Sequence, residues 1–333
     1  MVKSSRIYFP SALAVALLRD AYAYSLEPVW TEDYISSNLT CNLMNVIANI
    51  TGRPSAFRIR GTTADQTYYH PELNVSAVAL PNTTITNTFN IGNAWFEQWS
   101  SYFPEGTDFV HTLNLRDNSS AWKNAVQEAA TAYNFLGDKL KLFEIGNKID
   151  HFINKGWRPP TWDVAMYNQQ WRNISDQIIQ SSWYKTAQHP PKFQAAVFAD
   201  HPGVPVQQDE MDDFDIINLT RAGLTEHDKI DTYAVHLYPQ STCDTARWYR
   251  LSMNLLPNHS VLWHSVSQYV PQVAAADKAG IPLVFGETNS ASCSGRSGIS
   301  DTFGAALWSV DYVLLAASIG MPKVYFHPGA NAE

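Results

Sequence analysis

Three short segments carry the side chains best suited to chemistry. Phe143-Glu144-Ile145-Gly146-Asn147-Lys148-Ile149-Asp150 and Leu283-Val284-Phe285-Gly286-Glu287-Thr288-Asn289 each run from an apolar stretch through a glycine into a polar turn, and His236-Leu237-Tyr238-Pro239 adds an imidazole and a phenol. Carboxylates can serve as nucleophiles or as acids and bases, and imidazole or ammonium groups can move protons. Each residue also has a plain structural use. Glu287, leaving a strand before Thr288, Asn289 and Ser290, can cap the next helix. Glu144, two residues before Gly146, lies on the strand and reads as a paired interior residue, and His236 reads as a packed histidine at a strand end.

The elements that must position these segments alternate. Strand-like runs fall near Tyr22 to Glu27, Ala56 to Arg60, Phe109 to Leu115, Leu142 to Gly146, Gln194 to Phe198, Thr232 to Leu237, Leu283 to Gly286 and Lys323 to Phe326. Between them, apolar spacings of three and four predict helices such as Ala121 to Phe135, Trp162 to Gln180, Val261 to Lys278 and Asp301 to Ile319. Strand then helix, eight times over, points to an α/β chain folded as a (β/α)8 TIM barrel rather than an open doubly wound sheet. In such a barrel the residues just past the carboxyl ends of the strands face the mouth, and the three segments end the fourth, sixth and seventh strands. No Gly-x-Gly-x-x-Gly or Gly-Lys-Ser/Thr loop follows any strand, so no nucleotide or other cofactor is expected. Pro159-Pro160, Pro190-Pro191 and Pro202 to Pro205 read as turns between units, which leaves one barrel domain over residues 24–333.

Composition narrows the partners. Of 333 residues 45% are apolar, and 31 acidic side chains against 23 basic ones give a net charge of −8. With no basic block, a nucleic-acid or anionic-membrane surface is not expected. Aromatics reach 13%, with 11 Trp, which suits either an aromatic core or flat apolar faces such as those of sugar rings.

Asn-x-Ser/Thr occurs at Asn38, Asn49, Asn74, Asn82, Asn118, Asn173, Asn218 and Asn258, where chance would give roughly three. The excess favours a secreted, glycosylated chain. Lys3 and Arg6 precede an apolar run from Ile7 to Leu18, and Ala21-Tyr22-Ala23 has a cleavage-site form, so residues 1–23 are expected to be a signal peptide, although Arg19 and Asp20 fit that signal poorly. The run is short of the ~20 residues a membrane span requires. Of three cysteines, Cys243 and Cys293 follow strand-like runs in Ser/Thr/Gly-rich segments and are expected to pair, leaving Cys41 free; the alternative is three thiols without a bridge. No Cys/His spacing suggests a metal.

With these segments in place the chain resembles the fungal β-glucuronidases of glycoside hydrolase family 79, relatives of heparanase. The resemblance runs from about Tyr24 to Gly329. It rests on Arg58-Ile59-Arg60-Gly61-Thr62-Thr63-Ala64-Asp65 after the second strand, the Glu-Ile-Gly-Asn stretch ending at Asn147, His236-Leu237-Tyr238-Pro239, and Phe285-Gly286-Glu287-Thr288-Asn289-Ser290. It implies a retaining enzyme acting on β-linked glucuronic acid, with Glu287 as the nucleophile. Asn147 resembles the Asn that bonds the sugar hydroxyl beside the reacting carbon, Tyr238 the Tyr that orients the nucleophile, and Asp65 a polar residue at the pocket edge. Each of the three also has a structural reading as a satisfied hydrogen-bonding group.

The chain departs from that pattern where it matters most. The family has Glu directly after the Asn of the fourth-strand motif, and here that position is Lys148; the next, usually Pro, is Ile149, and Arg60 stands where a second Gly is usual. A double displacement needs two carboxyl groups ~5 Å apart. Lysine, with a pKa near ~10.4, is poorly matched to protonating a leaving oxygen near neutrality. Its ammonium is expected to pair with Glu287, and Arg60 to fill space the sugar needs. Members also carry an all-β domain after the barrel, and this chain, ending at Glu333, is expected to lack it. Three readings stay open: a retaining β-glucuronidase weakened or silenced by Lys148, a non-catalytic carbohydrate-binding pseudo-glycosidase, and a decayed product with no activity.

Overall fold

The computed structural model describes residues 20–80, 88–116, 119–199, 213–226 and 228–328. Eight parallel strands close a barrel in the order β1 (Tyr22–Leu26), β2 (Phe57–Ile59), β6 (Phe109–Leu113), β7 (Leu140–Ile145), β8 (Lys192–Phe198), β9 (Ile230–His236), β10 (Leu283–Thr288) and β11 (Val324–Phe326), with β11 returning to β1. All eight strands expected from the sequence are present. They were legible because parallel strands covered by helices are buried on both faces and read as continuous apolar runs; every residue of β2, β6 and β10 is buried.

The barrel interior is layered along the strands. At its amino end Ala23, Ala56, Val110, Leu142, Ala234, Val284 and Tyr325 form an apolar plug. Two residues further on, the period-two alternation of each strand brings Ser25, Arg58, Thr112, Glu144 and Gly286 to the same side. The interior therefore turns from apolar to charged towards the carboxyl ends, where the candidate residues lie.

The helices follow the expected spans closely, at Ser119–Leu136, Val164–Gln180 and Phe303–Ser318. Asp163 caps the second by accepting from Met166 N–H at 2.7 Å. The single helix expected over Val261 to Lys278 is instead two, His259–Val266 and Val270–Ala279, joined by a 3-10 turn at Ser267–Tyr269. Pro271 is the reason: it has no N–H to donate and is tolerated only in a first turn.

A small sheet of β3 (Thr67–Tyr69), β4 (Ala77–Leu80) and β5 (Thr88–Ile91), in the order β3-β5-β4, sits between β2 and β6 in the chain and was not anticipated. It is tied to the barrel layer by Asn124, whose side chain bonds both backbone groups of Tyr69 at 2.7 and 2.9 Å. Ala21, Tyr22 and Ala23 lead into and form the start of β1, with Tyr22 and Ala23 paired to Val324 and Tyr325, so the barrel begins two residues before the expected boundary at residue 24. Residues 1–19 of the expected signal peptide, Asn82, Asn118 and the Pro202 to Pro205 turn lie outside the described residues. No helix among the described residues is long and apolar enough to cross a membrane.

Candidate active site

Strand ends β7, β9 and β10 bring Lys148, His236, Tyr238 and Glu287 to one cavity of about 930 Å³ at the carboxyl face of the barrel. The size suits a small ligand. Glu287 is the next-to-last residue of β10, after a register shift between Phe285 and Glu287 against β9. Gly286 allows this, because a Cβ there would stand 2.9 Å from Ala234 Cβ and 3.2 Å from the Arg60 guanidinium. Lys148 follows Gly146 and Asn147 in a left-handed conformation, φ 53°, that turns its side chain back over the barrel mouth.

Glu287 is the centre of the constellation. Its Oε1 accepts from Tyr238 Oη at 2.9 Å and lies 3.2 Å from Lys148 Nζ. Its Oε2 accepts no hydrogen bond, and Arg60 Nε stands 3.6 Å away. Burial alone would raise this carboxyl, but Lys148, with His236, His327 and Arg60 behind it, holds it well below the usual carboxylate range. The Tyr238 hydroxyl moves the other way, raised by burial and by the Glu287 charge. Burial and then the Arg60 charge hold the His236 imidazole well below its ordinary value. A neutral imidazole, 1% exposed as a residue, fits the packed role read from the sequence.

Beneath lies a network that no solvent reaches. Arg58 Nε donates to Glu144 Oε2 at 2.9 Å and its Nη1 to Gly286 O at 2.8 Å, while Arg60 Nη1 stands 3.2 Å from Glu144 Oε2. Thr112 and Gln194 complete the shell of Glu144 at 2.9 and 2.7 Å. Glu144 is thus the paired interior residue expected. The expectation that Arg60 fills space the sugar needs is overturned: its side chain is 0% exposed, does not line the cavity, and folds under the cavity floor, hydrogen-bonded to Asn147 Oδ1 and in contact with His236 Nε2. The extra length of its side chain is accommodated by the glycine at 286 and by the charge of Glu144.

Asp65 and Asn147 are placed deeper than expected. Asp65 is fully buried, and its two carboxylate oxygens accept from Leu115 N–H and Asn147 N–H, both at 2.8 Å, so it is a strut under the β7 turn rather than a pocket-edge group. Burial pushes its carboxyl up to about 6 against the opposing pull of the Leu115 amide and of Lys155. The 3-10 turn Thr62–Gln66 is what turns it inward. Asn147 is fully buried, does not line the cavity, and leaves its side-chain N–H group without a hydrogen bond.

The cavity wall contains groups the sequence reading passed over. Lys155 lines it seven residues after Lys148, with Nζ buried, without a hydrogen bond, and 4.6 Å from the Trp157 ring centroid. Glu27 lines it from β1, its carboxylate accepting from Thr62 N–H and Thr63 N–H at 2.8 and 2.9 Å. Only the Arg58-Ile59-Arg60 alternation gave a signal, since residues two apart on a strand share a face. A disulfide joins Cys243 to Cys293 across the rim, tying the loop after β9 to the loop after β10, and Cys41 is free. Among the described residues no cluster of His, Cys, Asp and Glu could hold a metal ion.

This arrangement has relatives. A beta-glucuronidase of Neurospora crassa is 32% identical over 344 residues, which is 94% of this chain and 58% of that protein. The chain is thus similar to a fungal beta-glucuronidase over nearly all of its own length. A second beta-glucuronidase, of Aspergillus niger, is 27% identical across 97% of this chain and 60% of its own length. Among solved structures a 4-O-α-L-rhamnosyl-β-D-glucuronidase from Fusarium oxysporum 12S superposes with a TM-score of 0.74 at 26% identity, over 93% of this chain and 63% of the other. An endo-1,4-β-D-mannanase of Thermotoga petrophila, TM-score 0.55 at 13% identity, shares the barrel alone. No family model matches the sequence. The chain spans about three fifths of the length of these two relatives.

Proposed function

We propose that this barrel is a retaining glycosidase of the β-glucuronidase type in which Glu287 is the nucleophile, Tyr238 its orienting partner, and Lys148 an unsuitable substitute for the acid. The relatives named beta-glucuronidase support the sugar class. The observation that carries the reading is the 3.2 Å contact between Lys148 Nζ and Glu287 Oε1. A second carboxyl ~5 Å from the nucleophile is what a double displacement uses to protonate the leaving oxygen and then to activate water. Here that side of the cavity presents a cation. Glu287 stays ionised and oriented, so attack on the anomeric carbon remains possible where the leaving group departs without help. Loss of a matched acid costs ~10²- to 10⁴-fold, which restricts turnover to activated substrates. The same ion pair favours a second reading, a carbohydrate-binding pseudo-glycosidase, because it occupies the nucleophile in the resting state.

A secreted, glycosylated chain belongs to the same proposal. Asn38, Asn49, Asn74, Asn173 and Asn258 are exposed, as glycan acceptors must be, and the Cys243–Cys293 disulfide suits an oxidising compartment.

The test is hydrolysis of 2,4-dinitrophenyl β-D-glucuronide by the purified chain beside Lys148→Glu and Glu287→Ala, with circular dichroism confirming all three folded. Turnover by the wild type that Glu287→Ala abolishes is the expected result. Silence in the wild type with activity in Lys148→Glu assigns the binding reading. Measurable turnover at equal rates in wild type and Glu287→Ala sinks both.

A further inference from the structure

Replacing a carboxylate by an ammonium beside a glycosidase nucleophile changes which partners the sugar can be exchanged between. A carboxylate there repels an incoming anion; Lys148 attracts one. The cavity wall holds a second cation, Lys155, whose Nζ makes no hydrogen bond among the described residues, sits over the faces of Trp157 at 4.6 Å and Phe152 at 5.9 Å, and lies in the field of Asp65, Asp150 and Glu27. Resting on the glycosidase reading above, we propose that this site transfers its sugar between oxyanions, so that both the leaving group and the acceptor are carboxylate or phosphate oxygens drawn to Lys148 and Lys155.

The chemistry balances without an acid or a base. In the first step a Glu287 oxygen bonds to the anomeric carbon as the bond from that carbon to the leaving oxygen breaks. The electron pair departs on a carboxylate, phosphate or aryloxide that needs no proton. In the second, an anionic oxygen of the acceptor bonds to the same carbon and the ester bond to Glu287 breaks, regenerating the carboxylate. Water would have to lose a proton in that step and lacks a base to take it. Phosphate and carboxylates have already lost theirs.

The ion pair supplies the coupling. In the resting site the Glu287 charge satisfies Lys148 at 3.2 Å. Once Glu287 is esterified that charge is gone, leaving an ammonium whose side chain is 22% exposed to the cavity without its counter-ion. An anion entering then restores the pairing at the moment an acceptor is required. Water does not.

The experiment uses 2,4-dinitrophenyl β-D-glucuronide with the whole chain, following dinitrophenolate release with and without sodium phosphate or sodium acetate at constant ionic strength. The expected result is a burst of about one equivalent followed by slow turnover. Phosphate or acetate should speed the slow phase saturably and at least ~10-fold, given the size of the missing base contribution, with a glucuronosyl phosphate or ester detected by mass spectrometry. Acceleration by phosphate alone assigns a phosphoryl partner, and equal acceleration by acetate an acyl one. Lys148→Gln and Lys155→Gln should each blunt it. A burst whose slow phase ignores both anions, or responds as strongly in the two variants as in the wild type, overturns the inference and leaves the glycosidase reading standing. Absence of any Glu287-dependent burst overturns that reading, and this inference with it.

Discussion

Lys148 Nζ and Tyr238 Oη converge on a single oxygen, Oε1 of Glu287, at 3.2 and 2.9 Å, leaving Oε2 without a hydrogen bond. One residue fixes the orientation of the carboxylate and the other fixes its charge. The two effects can be separated by substitution, because the tyrosine contact is a hydrogen bond and the lysine contact is a charge pair.

Lys148→Glu restores a carboxyl on the leaving-group side. Hydrolysis of an aryl β-glucuronide with a poor leaving group should rise by at least roughly an order of magnitude, measured as kcat/KM beside the wild type. No change would mean that something other than the missing acid limits the reaction.

Lys148→Gln keeps a polar side chain one atom shorter and removes the charge. Burial then acts on Glu287 with its largest opposing influence gone, so the carboxyl rises. An opposite charge at this distance holds a carboxyl down, so the acid limb of the Glu287-dependent burst rate should move to higher pH. The stability profile follows with the matching sign. A depressed carboxyl contributes stability above its unfolded value near ~4.3 that is lost as pH falls through its folded value. Wild type should therefore gain stability as the pH rises from the folded value of Glu287 towards about 4.3, and Lys148→Gln should gain less, in thermal melts taken below about pH 5.

Tyr238→Phe removes the hydroxyl and little else. A hydrogen bond to a charged group contributes about 1.5–3 kcal/mol, so the burst rate with the dinitrophenyl substrate should fall by about tenfold or more. KM should change less than kcat, because the bond positions the nucleophile. Loss confined to KM would move Tyr238 from orientation to substrate binding.

How much of this could be read from the sequence depended on what each residue needs to be recognised. The barrel strands were visible because burial on both faces writes a continuous apolar run, as in Ala195 to Phe198 or Leu283 to Phe285. The side sheet was not, since β3, β4 and β5 are three or four residues long and carry Thr67, Tyr68, Thr88 and Asn90, too short for a periodic signal. Glu287, Lys148 and Tyr238 were found because strand ends in a barrel converge by topology. Asp65 and Asn147 were placed too shallow because depth along the barrel axis is set by the Thr62–Gln66 turn and by the Arg60 side chain packing beneath, and neither leaves a mark in the spacing of residues. Lys155 gave no signal at all. A lysine in a loop reads as solvated until the Trp157 and Phe152 rings are seen beside it.

The last prediction concerns the charges under the floor. Arg58 and Glu144 are both 0% exposed, and Glu144 is held by two guanidiniums, a hydroxyl and an amide. Removing one partner of a buried pair strands the other in a medium that solvates it poorly, at a cost of about 3–5 kcal/mol. Glu144→Gln should therefore destabilise the barrel by that amount in urea denaturation, since both Arg58 and Arg60 lose a counter-charge. The double substitution Arg58→Met with Glu144→Gln should recover part of the loss, because one cation leaves with the anion. A double mutant as unstable as the sum of the singles would mean that the network stabilises through packing rather than charge. The floor would then not be what holds Arg60 3.6 Å below Glu287.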